Sequence, residues 1–373
     1  MTVRENILAA LSFREVDRVP WAPRWELWFN AASRDGRLPE RYRGWTLYDT
    51  ARDLGLGLKG YGVRPCAEEM RDVRPRSRRR GEETVVEYDT PHGTLRQVMR
   101  ETVELMAAGV RGRVVKELVT QRADYDAALY LVEHTRLVPR HEDIASEIDK
   151  VGGDGVVLAF LGHPPAHLVM REYTGYEGFY YQLQDNAGQL EQLIAALDEQ
   201  QRELLRIAVD SPARVVEYDG NYDGWLTPPP IYRRYFLPSH RRLTDACHAV
   251  GKLVATHDDG RVDGLMALLA ESGFDVAEAF TPPPMTNIGV AGAREAWGER
   301  LAIWGGLAAV AFTPLFSEEE FDRHVWKALD ESGGRGIVLG TGDNVPTDGL
   351  LERVRRVSRL IEEWQRNRAG GGG

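Results

Sequence analysis

The segment Thr256-His257-Asp258-Asp259-Gly260 sets an imidazole and two carboxylates at the end of a short β-branched run, Lys252-Leu-Val-Ala-Thr256. An apolar helical pattern follows it (Val262, Leu265, Met266, Leu268, Leu269). Polar groups at the C-terminal tip of a strand are where α/β folds collect their chemistry, because the strand end is rigid and the loop after it is free to vary. His257 and Asp259, two apart on extended chain, share a face. That spacing suits a shared metal ion or a proton relay, and it also suits carboxylates that cap the next helix. Other strand ends repeat the theme. Glu217 closes Arg214-Val-Val-Glu217, with Asp219, Asn221 and Asp223 behind it; Glu278 closes Asp275-Val-Ala-Glu278; Asp343 and Asn344 follow Leu339-Gly-Thr-Gly342. In parallel strands these ends share one rim, where crowded carboxylates require a cation, a proton or an arginine to neutralise them. A divalent metal held by Glu217, His257, Asp259 and Asp343 meets that requirement, with His257 and Asp259 also the candidate catalytic pair. Zinc accepts such ligands, and the lack of thiolate leaves room for manganese or iron. Taken singly, Glu217 and Asp343 read as well as helix caps.

The elements that must position these groups alternate along the chain. Thr2-Val-Arg-Glu5 is a capping box opening an amphipathic helix with Ile7, Leu8, Leu11 and Phe13 as its apolar positions. Val19-Pro-Trp-Ala-Pro-Arg24 reads as a first strand and Leu56-Gly-Leu-Lys59 as a weak one. Short apolar runs at Gly155–Phe160, Arg214–Glu217, Leu253–Thr256, Asp275–Glu278, Leu301–Trp304 and Gly336–Leu339 each precede a helical pattern. About eight βα units result, the number that closes a (β/α)₈ TIM barrel. Glu83–Tyr88 and Gly93–Val98 flank a Pro-Gly turn, so a β-hairpin is expected to be inserted at roughly 83 to 100. An open doubly wound sheet competes, but no Gly-x-Gly-x-x-Gly follows an early strand. The reading is one barrel domain over 1–367 and a disordered Gly-rich tail over 368–373.

A chain of 373 residues, 43% of them hydrophobic, can bury a large core. Its net charge of -10 argues against a nucleic-acid partner, which demands clustered Lys and Arg. Arg78-Arg79-Arg80 is read as a solvated loop. Cys66 and Cys247 are too few and too far apart for a disulfide framework or a thiolate zinc site, and Cys247 reads as core. No run approaches the roughly twenty apolar residues of a membrane span, so a cytoplasmic protein is expected. For a substrate, Trp21, Trp25, Trp28, Phe29, Tyr173, Tyr222 and Trp225 fall in or beside strand-end loops. The expected substrate contacts are Trp21, Arg24, Trp25, Tyr222, Trp225, Glu278 and Asn344, a set suited to a small aromatic or apolar body with a few polar anchors. Tyr176, Phe179 and Tyr180 read as core, His163 and His167 as helix-start residues, with His163 able to carry a proton.

Several motifs in order carry a family resemblance. Val3-Arg-Glu-Asn-Ile-Leu-Ala-Ala-Leu11 with Asp17-Arg-Val-Pro20, then Asp89-Thr-Pro-His-Gly-Thr-Leu-Arg96, Gly175-Tyr-Glu-Gly-Phe-Tyr-Tyr181 and Pro229-Pro-Ile-Tyr-Arg-Arg-Tyr-Phe-Leu-Pro238 resemble the uroporphyrinogen decarboxylase superfamily from residue 3 to about 365. The resemblance implies a TIM barrel that is either a decarboxylase or a zinc-dependent, cobalamin-linked methyltransferase. Decarboxylases of the family meet a polycarboxylate with an early Arg-x-x-x-Arg; this chain has Arg24-Trp-Glu-Leu-Trp28, with one Arg kept. The methyltransferases supply zinc ligands from His-x-Cys-Gly after the fifth strand and Gly-Cys after the eighth. His257-Asp-Asp-Gly260 resembles the first with Asp259 in the Cys position, and Gly342-Asp343 the second with Asp343 likewise, while Glu217 fits an acid after the fourth strand. The resemblance therefore implies methyl transfer between a small oxygen- or sulfur-bearing substrate and the cobalamin of a corrinoid partner protein, with hard ligands in place of soft ones. A decarboxylating lyase on a small carboxylated substrate and a catalytically silent binding barrel are the competing readings.

Overall fold

The computed structural model describes residues 1–102 and 112–370, apart from the side chains of residues 61, 62 and 219. The strands are β1 (Leu58–Val63), β2 (Cys66–Met70), β3 (Pro75–Arg80), β4 (Glu83–Thr90), β5 (Gly93–Arg100), β6 (Arg113–Lys116), β7 (Thr135–Pro139), β8 (Gly155–Phe160), β9 (Val215–Gly220), β10 (Leu253–His257), β11 (Val276–Phe280), β12 (Ala302–Leu307) and β13 (Ile337–Thr341). Seven of them, in the order β1-β8-β9-β10-β11-β12-β13, pair in parallel and curl into a half-barrel. Their runs are apolar on both faces because helices cover the outside and side chains fill the inside.

Val19–Arg24, expected as a strand, makes only isolated bridges, Trp21 to Leu339 and Arg24 to Asn344. Pro20 and Pro23 have no amide proton to give a ladder, which is why a continuous strand fails here. The segment still touches both edges of the sheet. Leu339 N donates to Pro20 O at 2.8 Å and Ala22 N to Leu339 O at 2.9 Å, while Gly57 N, one residue before β1, donates to Trp21 O at 2.8 Å.

The inward face is read from side-chain parity. Val156 and Leu158, Val215, Ala255, Val276, Ala302 with Trp304, and Val338 form one buried cluster, capped from below by Ile7, Ala10 and Leu11 of the helix Val3–Leu11. That helix starts at the capping box read from the sequence: Glu5 N donates to Thr2 Oγ1 at 3.2 Å and Thr2 N to a Glu5 carboxylate oxygen at 2.7 Å. Counting by twos along each strand, Glu217, His257 and Glu278 stand on the same inward face one step above the apolar plug. Lys59 joins them, since it pairs in register with inward Val156.

β4 and β5 pair antiparallel from Glu83 with Arg100 to Thr90 with Gly93, within a four-stranded sheet β3-β4-β5-β6 that is wider than the expected hairpin. The sequence hides β3 because Pro-Arg-Ser-Arg-Arg-Arg is exposed at every position and shows no apolar alternation. Arg78-Arg79-Arg80 is thus a charged edge strand rather than a loop, tied to β4 by Arg78 to Glu87 at 3.1 Å and Arg76 to Asp89 at 2.7 Å. At the far end the helix Leu351–Gly370 includes residues 368–370, which were expected in a disordered tail; residues 371–373 lie outside the described residues. Among the described residues, no helix is long and apolar enough to cross a membrane.

Candidate functional site

Glu217, His257 and Glu278 come from β9, β10 and β11, three neighbouring strands, and all are buried. The strands are not regular there. Register shifts fall between Ala255 and His257 and between Glu278 and Phe280, and Ala279 sits at φ 55°. Bulges of this kind re-aim side chains beside functional sites. Gly220 lets His257 approach closely, because a Cβ at Gly220 would lie 2.3 Å from the His257 Cβ.

The resulting geometry is a chain of charges. Lys59 Nζ bonds Glu278 Oε1, and His257 Nδ1 lies 2.5 Å from Glu278 Oε2, so both oxygens of Glu278 are engaged. The Lys59 ammonium also stands 5.4 Å from the centre of the Trp304 ring. On the other side of the imidazole, Nε2 is 3.5 Å from Asp259 Oδ2, and Asp259 accepts from Asn221 Nδ2 at 2.9 and 3.0 Å. Both oxygens of Glu217 are buried with no hydrogen-bond partner among the described residues.

Protonation follows from these contacts. Burial, with the Glu278 charge beside it, pushes the Glu217 carboxyl up to about 7. Burial works against His257 as a cation, but the Glu278 and Asp259 carboxylates outweigh it and raise the imidazole to about 10. Burial would raise Glu278 too, yet Lys59 and His257 hold it well below the usual carboxylate range. Asp259 is likewise lowered, His257 and Asn221 overcoming its burial.

A stability profile follows for the metal-free protein. Glu217 favours its protonated form when folded, so its contribution is complete below its ordinary 4.5 and is lost as pH rises towards 7. A shift of that size corresponds to roughly 3 kcal/mol. His257, raised from 6.5, contributes below 6.5 and loses that contribution as pH climbs to about 10. Buried His324, lowered to about 4, gains stability over much of the window in which Glu217 loses it, so the Glu217 contribution is read by difference: in urea unfolding, the stability of wild type relative to Glu217→Gln should fall between about pH 4.5 and 7. A wild-type-minus-variant difference that does not change between pH 4.5 and 7 would contradict the assigned burial of Glu217.

A divalent cation is implied by the family resemblance, and the residues fit one. One ligand atom from each of Glu217, His257 and Glu278 lies within 4.8 Å of the other two. An imidazole with carboxylates is a hard donor set suited to zinc, manganese or iron. The orphaned Glu217 carboxylate is the group most in need of a cation.

The expected ligand set changes accordingly. Asp343 does not join the three; its Oδ1 accepts from Arg24 at 2.7 Å, so a guanidinium neutralises it. Asp259 lies beyond His257, 3.5 Å from its Nε2, and Glu278, expected as a substrate contact, stands within the group of three. The expected aromatic contacts fare differently. Trp21 is core, its indole donating to Val354 O at 3.1 Å and stacking on Phe312. Trp25 is buried against Trp28 and Phe29, and Tyr222 is fully buried with its hydroxyl 3.0 Å from His240 Nε2. Trp225 is exposed beneath Arg261. Arg24 and Asn344 adjoin at the seam, Asn344 Oδ1 accepting from Leu27 N at 3.4 Å. The side chain of Asp219 lies outside the described residues. Sequence reasoning missed Lys59, whose only signal was a lysine inside the apolar stretch Leu56–Gly60.

A parallel α/β half-barrel with ionisable groups gathered at the C-terminal ends of its strands defines the class: a barrel-type fold with its buried charges at the end where such folds usually carry their sites. Residues 103–364 match the family model described as Uroporphyrinogen decarboxylase (URO-D), and the chain belongs to that family. Among solved structures it is similar to a methyltransferase from Methanosarcina mazei, with a TM-score of 0.58 and 15% identity over 98% of this chain and 99% of that one. It is also similar to a B12-independent methionine synthase from Shewanella sp. W3-18-1, with a TM-score of 0.44 and 11% identity over 95% of this chain and 98% of that one. Both are likenesses of fold. No curated protein matches the sequence.

Proposed function

We propose that this protein is a methyl-transfer enzyme whose Glu217–His257–Glu278 group holds a divalent metal at the mouth of a (β/α)₈ barrel, with Val19–Arg24 in the eighth strand position. The observation that carries the reading is the buried, unpartnered Glu217 carboxylate beside an imidazole and a second carboxylate. The fold shared with the Methanosarcina mazei methyltransferase and the motif order support it. A bound metal would supply Lewis acidity towards a substrate oxygen or sulfur, and the cobalamin of a corrinoid partner would supply the methyl-exchanging centre. The chain's own residues do the rest. Lys59 holds Glu278, and Asn221 holds Asp259 against His257 Nε2, while Nδ1, which faces Glu278, is the nitrogen that would turn to an ion. Asp259 is then the outer partner that sets the ring orientation, as such partners of metal-binding histidines commonly do. Trp225, Leu226, Met285, Leu315 and Leu350 are exposed apolar residues in loops after β9, β11, β12 and β13. They give this end of the sheet an apolar rim suited to a protein partner.

A lyase reading is favoured by the burial of the Glu217 carboxyl without a hydrogen-bond partner among the described residues, which raises it towards neutrality and suits it to donate a proton. The two are separated by supplying Co(I) cobalamin with methoxyarenes and thioethers and following methylcobalamin by absorbance. Methylcobalamin that forms with wild type and not with Glu217→Gln supports methyl transfer. Carbon dioxide released from a small carboxylated compound, with no methylcobalamin from any donor, would establish the lyase instead. A protein that takes up neither zinc, manganese nor iron when expressed with all three would overturn the metal assignment.

A further inference from the structure

A cavity of about 400 Å³ opens between the β3–β6 sheet and the C-terminal end of β8; of the aromatics offered above for a substrate, Tyr173 lines it, together with His163. Its volume is that of a small-ligand site. Phe160, Leu168, Tyr173 and Tyr88 give it an aromatic and apolar wall, and Arg171 places a guanidinium in it. Arg64, also on the wall, is engaged by Glu68 at 3.3 Å. Arg171 is held differently. Its Nε is buried with no hydrogen-bond partner among the described residues, and its Nη1 reaches Asn221 Oδ1 only at 3.5 Å. An arginine with an unsatisfied buried Nε suits a carboxylate, whose two oxygens match the guanidinium fork.

The backbone around Arg171 is built to present it. The short helix Pro165–Leu168 widens into a π-helical turn over Val169–Tyr173, closed by Thr174 N to Val169 O at 2.9 Å. Such turns are rare and concentrate at functional sites, because the extra residue rotates side chains out of helical register. Here the turn carries both Arg171 and Tyr173. Burial keeps the Tyr173 phenol protonated well above its ordinary range, so it offers a neutral aromatic face.

The cavity is joined to the Glu217–His257–Glu278 group along two lines. Phe160 pairs in register with Glu217 across β8 and β9, and Leu161 N donates to Glu217 O at 2.8 Å. Arg171 reaches Asn221, which donates to Asp259, which faces His257 Nε2. A larger cavity of about 550 Å³, lined by Phe13 and Trp364, lies at the opposite end, beside Gly333 and Gly334 before β13. It has no such connection to the ionisable group.

We propose that the cavity beside β8 binds an aromatic carboxylate, with the ring against Phe160 and Tyr173 and the carboxylate on Arg171. As a substrate site it rests on the reading of Glu217, His257 and Glu278 as the reaction centre; as a binding site it is tested without that reading. Titration calorimetry of the full chain uses benzoate, 4-methoxybenzoate and the uncharged anisole as probes. Both acids should bind saturably at one site per chain and more tightly than anisole. Arg171→Gln should weaken them roughly tenfold or more, the loss of a charged hydrogen-bonded pair, and leave anisole unchanged. Arg171→Lys, which keeps the charge and discards the fork, should fall between. Glu217→Gln should abolish turnover and metal uptake but keep benzoate affinity, so failure of the reaction-centre reading and failure of the cavity proposal are told apart. Absence of saturable binding by either acid, or equal affinities in wild type and a folded Arg171→Gln, would overturn the proposal.

Discussion

His257→Ala is expected to leave a folded protein that no longer retains stoichiometric divalent metal. The imidazole is the nitrogen donor of the group, and it stands between two carboxylates, 2.5 Å from Glu278 and 3.5 Å from Asp259. Taking it away leaves oxygen donors only, and the weaker set should lose several orders of magnitude in zinc affinity. The fold should survive because Glu278 keeps Lys59, and because the residue closes β10 rather than packing in the apolar plug below. Elemental analysis after dialysis, with circular dichroism as the control for folding, makes the measurement. Full metal occupancy in the folded variant would show that the ion, where bound, is held elsewhere.

Lys59→Met should be the most destabilising single change at the mouth. Lys59 and Glu278 have almost no exposed side-chain surface, so removing the ammonium strands a carboxylate in the interior with only His257 against it. Breaking one side of a buried pair typically costs about 3–5 kcal/mol, because the remaining charge has lost both water and its partner. The double variant Lys59→Met with Glu278→Gln removes both charges and should recover most of that loss, which isolates the charge effect from the change of shape. Urea unfolding of the metal-free proteins reads both. A Lys59→Met variant within 1 kcal/mol of wild type, or a double variant no more stable than the single one, would mean that Glu278 does not depend on Lys59.

The strand ends were readable in the sequence because short β-branched runs announce them, and the polar residues on those ends could be named: Glu217, His257 and Glu278 were all singled out. Which of them meet was not readable. Asp343 looks like a ligand until Arg24, 319 positions away, is seen to hold it. Trp21 and Tyr222 look like pocket walls because aromatic rings near loops serve either purpose, and only tertiary packing shows that both are core. Lys59 was invisible for the opposite reason: a lysine in an apolar stretch weakens a strand assignment, and its partner Glu278 is 219 residues later in the chain. β3 escaped because a charged edge strand has no alternation to detect. The Arg171 turn escaped because an extra residue in a helix leaves no mark in a periodic pattern.

The wall of the half-barrel is mechanically uneven. Six continuous parallel pairings run from β1 to β13, whereas Pro20–Ala22, at the remaining gap, offers a few isolated bonds and two prolines beside them. Opening fluctuations concentrate where backbone bonds are fewest. Arg24 rides on that sparse seam, with one end of its guanidinium on Asp343 and its field felt at Glu217. Lys59 sits on the firmly paired β1, whereas this second positive charge is mounted on the most yielding stave of the cask, so a loosening of the wall there would also change the field at the centre.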